Sequence, residues 1–122
     1  MKEKILLSDN SVSLSESIKF ALARNGYEVD IVENEEQTIR MIESGDYRLV
    51  IVDLKDMEAF GSGVINFLKQ MKGTGVPTAV LALTQPSERE VISGIVSSGI
   101  KDWLMIPFSN EKLVSSVRRI LG

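Results

Sequence analysis

The chain has 122 residues, 43% of them hydrophobic and 25% charged, with a net charge of −3 and a pI near 5.0. This suits one globular domain spanning residues 1–122 and argues against a nucleic-acid-binding surface. With no cysteine and no histidine, disulfides, thiolate or imidazole metal ligands, cysteine nucleophiles, histidine bases and phosphohistidine are all excluded.

Helical stretches alternate with short apolar runs along the whole chain. Met1-Lys2-Glu3-Lys4 leads straight into Ile5-Leu6-Leu7-Ser8, a buried strand, with no apolar signal-peptide region before it. Ser13-Leu14-Ser15-Glu16 reads as a capping box for a helix burying Leu14, Ile18, Ala21 and Leu22, stopped by Gly26. Residues 27–32 alternate polar and apolar, as an edge strand does. Asn34-Glu35-Glu36-Gln37 caps a second helix carrying Ile39 and Ile42, ended by Gly45. Leu49-Val50-Ile51-Val52 is a third strand running into Asp53, and a loop with Gly61 and Gly63 follows. A third helix carries Val64, Ile65, Phe67 and Leu68, and the turn 73–77 enters a fourth strand over 79–83. Ser87-Glu88-Arg89-Glu90 caps a fourth helix ending near Gly99; Trp103-Leu104-Met105 is a short fifth strand. Ser109 then caps a last helix with Leu113, Val114, Val117, Ile120 and Leu121 at core spacing. Strict alternation of this kind predicts an α/β parallel sheet with right-handed crossovers and helices on both faces. No stretch reaches membrane-spanning length, and a cytoplasmic protein is expected.

Two of the apolar runs end in aspartate, at Asp9 and Asp53. Ligands of open α/β sheets bind beyond the carboxyl ends of the strands. If these two strands are neighbours, both carboxylates share one crevice, where they repel unless a cation joins them. A hard divalent cation such as Mg2+ accepts one or two carboxylates and keeps water or phosphate oxygens as its other ligands. Phosphoryl chemistry is the reading this suggests.

Asp9 after strand one, Asp53 after strand three, Thr84 after strand four and Ile106-Pro107 after strand five, closing the stretch Gly99 to Phe108, stand in an order and spacing that resembles the receiver domain of two-component response regulators. That resemblance implies a flavodoxin-like (βα)5 doubly wound fold, a five-stranded parallel sheet in the order 2-1-3-4-5. The family has an acidic pair after strand one, a phosphoacceptor aspartate after strand three, Thr or Ser after strand four and Lys-Pro after strand five. The corresponding places are read as Ser8-Asp9, Asp53, Thr84 and Ile106-Pro107. The stretch from Gly99 to Phe108 follows the family's Gly-Ala-x-Asp-Tyr-Leu-x-Lys-Pro-Phe, and the family holds the bond before that proline in cis. By resemblance, Asp53 is the nucleophile, taking phosphate from a histidine kinase or phosphotransfer protein. Asp9, Asp53 and the main-chain carbonyl of Lys55 would hold Mg2+, Thr84 would bind a phosphoryl oxygen, and Trp103 occupies the aromatic switch position. Such a domain signals through the face of its fourth helix, fifth strand and last helix, to a homodimer partner or an output domain. At most it catalyses its own aspartyl phosphorylation and dephosphorylation.

The departures from the family are equally specific. Ile106 stands where the family has a lysine that pairs with the phosphoacceptor, a charge-assisted contact worth about 1.5–3 kcal/mol. Ser8 is read as replacing one acid of the pair, so one cation and one anion are lost together and Mg2+ is expected to bind weakly. Gln85 would crowd the path to Asp53, and the loop after Asp53 lacks the family's Met-Pro-Gly turn. Lys55, on its flexible stem, is either a solvated loop residue or a substitute cation over the pocket. Two functions of different class follow. One is an atypical phospho-receiver; the other is a phosphorylation-independent pseudo-receiver used for binding or dimerisation. A flavin-binding flavodoxin would leave Asp53 unexplained, and this chain is short and lacks a Thr-x-Thr-Gly loop.

Overall fold

The computed structural model describes residues 3–9, 11–44, 46–53, 79–84 and 102–122. In chain order these form β1 (Lys4–Ser8), α1 (Val12–Arg24), β2 (Glu28–Val32), α2 (Glu35–Glu43), β3 (Leu49–Asp53), β4 (Ala79–Thr84), β5 (Asp102–Met105) and α3 (Asn110–Leu121). The strands make one parallel sheet in the order β2-β1-β3-β4-β5, the flavodoxin-like arrangement expected from the sequence. The helices expected around residues 64–68 and from Ser87, the turn 73–77, and Gly45, Gly61, Gly63 and Gly99 lie outside the described residues. Among the described residues no helix is long and apolar enough to cross a membrane.

The sequence of each strand matches its place. β1 and β3 are interior strands, and Ile5, Leu6, Leu7, Leu49, Val50 and Ile51 are wholly buried, because an interior strand of a parallel sheet is covered on both faces. β2 is an edge strand and keeps its charged Glu28 exposed. Side-chain alternation divides the core into two layers. Ile5, Leu7, Leu49, Ile51, Leu81 and Leu83 pack with Ile18, Ala21 and Leu22 of α1 and Leu113, Val114 and Val117 of α3. The opposite face carries Leu6, Ser8, Val50, Val52 and Ala82, and α2 covers part of it with Thr38 and Ile42.

Capping explains most helix ends. Asn34 accepts the Gln37 N–H at 2.8 Å and Ser109 accepts the Lys112 N–H at 3.1 Å, each satisfying a donor that the first helical turn leaves open. Gly26 follows α1 at φ +93°, a left-handed conformation that costs glycine nothing. The start of α1 differs from the sequence reading. The helix begins at Val12, with Ser11 in the N-cap position, so Ser13 to Glu16 lie inside it and form no capping box. The reason is local. Asp9 Oδ1 accepts the Ser11 N–H at 2.9 Å and closes a turn that starts the helix early, while Ser15 Oγ donates to the Val12 carbonyl at 3.2 Å.

Candidate functional site

The register of the sheet decides which side chains meet. Ser8 of β1 pairs with Val52 of β3, so Asp9, the next residue, comes level with Asp53. Asp53 in turn pairs with Leu83 of β4, which places Thr84 one step further along the adjacent strand. Asp9, Asp53 and Thr84 are 1%, 0% and 0% exposed. Three polar side chains thus stand buried at the carboxyl ends of three adjacent strands, where the fold opens its ligand crevice. The sequence assembled the same three residues.

The aspartates are both hard oxygen donors, and their adjacent burial makes sense for a divalent cation that needs only one or two carboxylates. Among the described residues no group of three or more acidic, histidine or cysteine side chains forms. Lys55, whose carbonyl the resemblance adds to the two aspartates, lies outside the described residues, as does Gln85.

The sequence puts Ser8 first in the pair after strand one, yet β1 extends through Ser8. Its side chain is wholly buried on the face covered by α2, with Oγ 2.9 Å from Thr38 Oγ1. A strand residue paired with a helix in this way does not face the crevice. The positions that follow β1 are Asp9 and residue 10, an asparagine in the sequence that lies outside the described residues. Thr38 was missed, although its spacing of four from Ile42 on the buried side of α2 was a legible signal.

At the far side of the site, the Ile106 N–H donates to the Thr84 carbonyl at 2.8 Å, and the Ile106–Pro107 bond is cis. The Ile106 side chain is half-buried and packs against the hydrophobic core. At the position where the resemblance implies a cation, this chain has an apolar side chain. Trp103 pairs with Ala82 and Met105 with Thr84, so Thr84, Trp103 and Met105 share one face of the sheet. Trp103 is 36% exposed and Met105 44%, an apolar strip on the edge strand β5.

A second polar group sits where the chain enters β3. The Tyr47 hydroxyl donates to Asp30 Oδ2 at 2.5 Å, and the Lys4 ammonium lies 5.4 Å from the ring centre. Burial, then the hydrogen bond to Asp30 and the charges of Asp30, Asp46 and Glu28, push the phenol far above the usual tyrosine value.

Comparison with known proteins decides the family. The model of the response regulator receiver domain matches residues 5–118. The chain belongs to this family. As a receiver domain it is similar to the response regulator MprA of Mycobacterium tuberculosis, 29% identical over 122 residues, covering 99% of this chain and 51% of that protein. It is also 28% identical over 116 residues to the transcriptional regulatory protein DltR of Streptococcus agalactiae, covering 94% of this chain and 50% of that protein. The chain therefore spans about half the length of the curated relatives it matches. Among solved structures, a two-component response regulator from Clostridium difficile superposes with a TM-score of 0.82 at 25% identity, covering 98% of this chain and 96% of that one. The chemotaxis response regulator CheY4 of Vibrio cholerae gives a TM-score of 0.82 at 24% identity, covering 98% and 99% of the two chains, and shares the fold.

Proposed function

We propose that this receiver takes a phosphoryl group on Asp53 from a histidine kinase or a phosphotransfer protein. The observation that carries the reading is the joint burial of Asp9, Asp53 and Thr84 at the carboxyl ends of adjacent strands. A carboxylate oxygen of Asp53 attacks phosphorus, the new P–O bond forms as the donor's P–N bond breaks, and the imidazole departs with that electron pair. Mg2+, when bound, would offset the negative charge on the phosphoryl oxygens, and Asp9 and Asp53 would hold it, with Lys55 adding its carbonyl. Thr84 would donate its hydroxyl to a phosphoryl oxygen and draw the end of β4 toward Asp53. Because Trp103 lies on the same face of the next strand, that shift would reach an output face that includes β5 and α3. Output through this face would go to a second copy or to an output domain. Two facts support a linked output: the relatives are about twice as long, and one is named a transcriptional regulatory protein. We place the domain across residues 1–122, in the cytoplasm, with no direct hold on nucleic acid or membrane.

One observation favours a second reading. The half-buried Ile106 packs against the core at the position where the family's lysine would contact the phosphoryl group, which suits a pseudo-receiver that binds partners without phosphorylation. The deciding experiment is incubation with Mg2+ and acetyl phosphate, followed by intact mass and peptide mapping of wild type and Asp53→Asn. A phosphate adduct on Asp53, absent from the variant, is expected. If wild type takes no phosphate from acetyl phosphate or phosphoramidate, the pseudo-receiver reading replaces it.

A further inference from the structure

The hydrogen bonds around β1 close a ring that ends at the proposed metal ligand. Thr38 Oγ1 donates to the Asn34 carbonyl at 2.7 Å. A hydroxyl has one proton, so in the 2.9 Å contact between the two side chains Ser8 is the donor and Thr38 the acceptor. Asp9, bonded covalently to Ser8, donates its own N–H to the Val32 carbonyl at 3.1 Å. Val32 ends β2 and lies two residues before Asn34, the residue capping α2. The path Asp9–Ser8–Thr38–Asn34–Val32–Asp9 is therefore closed, and Ser8 and Thr38 are both 0% exposed. The carboxylate it leads to is itself oriented, since Asp9 Oδ1 accepts the Ser11 N–H at 2.9 Å.

A buried hydroxyl pair inside an apolar layer is an unusual use of that space. Two aliphatic side chains would fill it with no polar atom to satisfy. What the pair adds is direction: it fixes the height of β1 against the first turn of α2, one residue before Asp9. We propose that Ser8 and Thr38 are positioning residues for the metal-binding carboxylate of Asp9, and that they set the Mg2+ affinity of the site through the β2–α2 connection. This rests on the assignment of Asp9 as a metal ligand. Partners one step removed from a metal ligand commonly change its affinity by about 10–100-fold when removed, and the lower end applies here because the link runs through the backbone.

The test is Mg2+ titration by calorimetry of wild type, Ser8→Ala, Thr38→Val, Thr38→Ser and Asp9→Asn, each also unfolded in urea. Ser8→Ala and Thr38→Val, which break the same bond from opposite ends, should each weaken Mg2+ about tenfold. Thr38→Ser, which loses only a methyl group, should bind Mg2+ as wild type does even where its urea midpoint falls. If both bond-breaking variants lose stability yet bind Mg2+ with unchanged affinity, the pair is only structural and the proposal is wrong. Should Asp9→Asn also bind Mg2+ normally, the metal assignment itself fails and takes the positioning role with it. Ser8→Ala deletes a single oxygen, so the measurement stands even if Thr38→Val does not fold.

Discussion

Replacing Tyr47 by phenylalanine removes one oxygen and keeps the ring, including its contact with Lys4. The lost oxygen donates to Asp30 at 2.5 Å. Hydrogen bonds to charged groups contribute about 1.5–3 kcal/mol, and the lower figure applies because Asp30 is only half-buried. Tyr47→Phe should therefore be about 1.5 kcal/mol less stable at neutral pH. The pH dependence has a definite sign. The folded phenol titrates above its unfolded value near 10, so between pH 7 and 9 both states hold the proton and the contribution is whole. Above pH 10 the unfolded chain releases its proton first, the folded state binds more protons, and stability falls by about 1.36 kcal/mol per pH unit. By pH 11 the loss is about 1.4 kcal/mol, or about 5 °C in Tm for a chain of this length. Urea unfolding of both proteins from pH 7 to 11 measures it, because every other group is common to the two proteins and cancels in the difference. Wild type should lead at neutral pH and lose nearly all of that lead by pH 11. A gap that stays constant across the range would refute the hydrogen bond to Asp30 as the source of the stability.

Mg2+ at ten times its dissociation constant should raise unfolding stability by about 1.4 kcal/mol, and Asp9→Asn should abolish the gain; differential scanning calorimetry with and without Mg2+ reads both. Trp103, the single tryptophan, should change emission when Asp53 is phosphorylated, and the change should vanish in Thr84→Ala if Thr84 couples the two. Leu113→Ala, at a wholly buried position of α3, should cost about 2–5 kcal/mol in urea without altering the phosphate adduct per folded molecule. Ile106→Lys should raise phosphate occupancy of Asp53 by about one to two decades, measured by intact mass at fixed acetyl phosphate. If Lys55 already supplies that cation, Ile106→Lys should do little and Lys55→Ala should abolish uptake.

The sheet was legible because its apolar runs are short, bounded and interrupted by helical periodicity, and Asp9 and Asp53 were legible because they end two such runs. Their neighbourhood needed the strand order, which the alternation pattern leaves open and which only the resemblance to receiver domains implied. What the sequence could not show was which face a strand residue takes at the strand's last position. Ser8 beside Asp9 reads as part of the pair, and only the length of β1 and the bond to Thr38 turn it toward α2. The early start of α1 was hidden for a similar reason. A capping box at Ser13 is a local signal, and it lost to the turn that Asp9 imposes on Ser11. The Tyr47–Asp30 bond joins residues 17 apart in sequence, across β2 and the entry to β3, and leaves no local mark.

The isoleucine at position 106 shows how far charge counting alone can mislead. A lysine there would pair with the Asp53 carboxylate before transfer and with the more highly charged phosphoryl group after it, and the difference, up to about 1.5–3 kcal/mol, favours the phosphorylated state. Full burial of an isoleucine stabilises by about 1.5–3 kcal/mol, so the half-buried Ile106 contributes about half of that to both states, phosphorylated or not. Since the apolar term is common to both states, it cancels from the phosphorylation equilibrium and survives only in folding stability. A lysine stem can also cover part of the same apolar surface while its ammonium reaches the crevice. Ile106→Lys should therefore separate the two quantities, lowering the urea midpoint slightly while raising phosphate occupancy strongly. If Ile106→Lys gains no phosphate, Lys55→Ala changes nothing and wild type carries none, the crevice does no phosphoryl chemistry, and partner binding would then be the working role of this receiver.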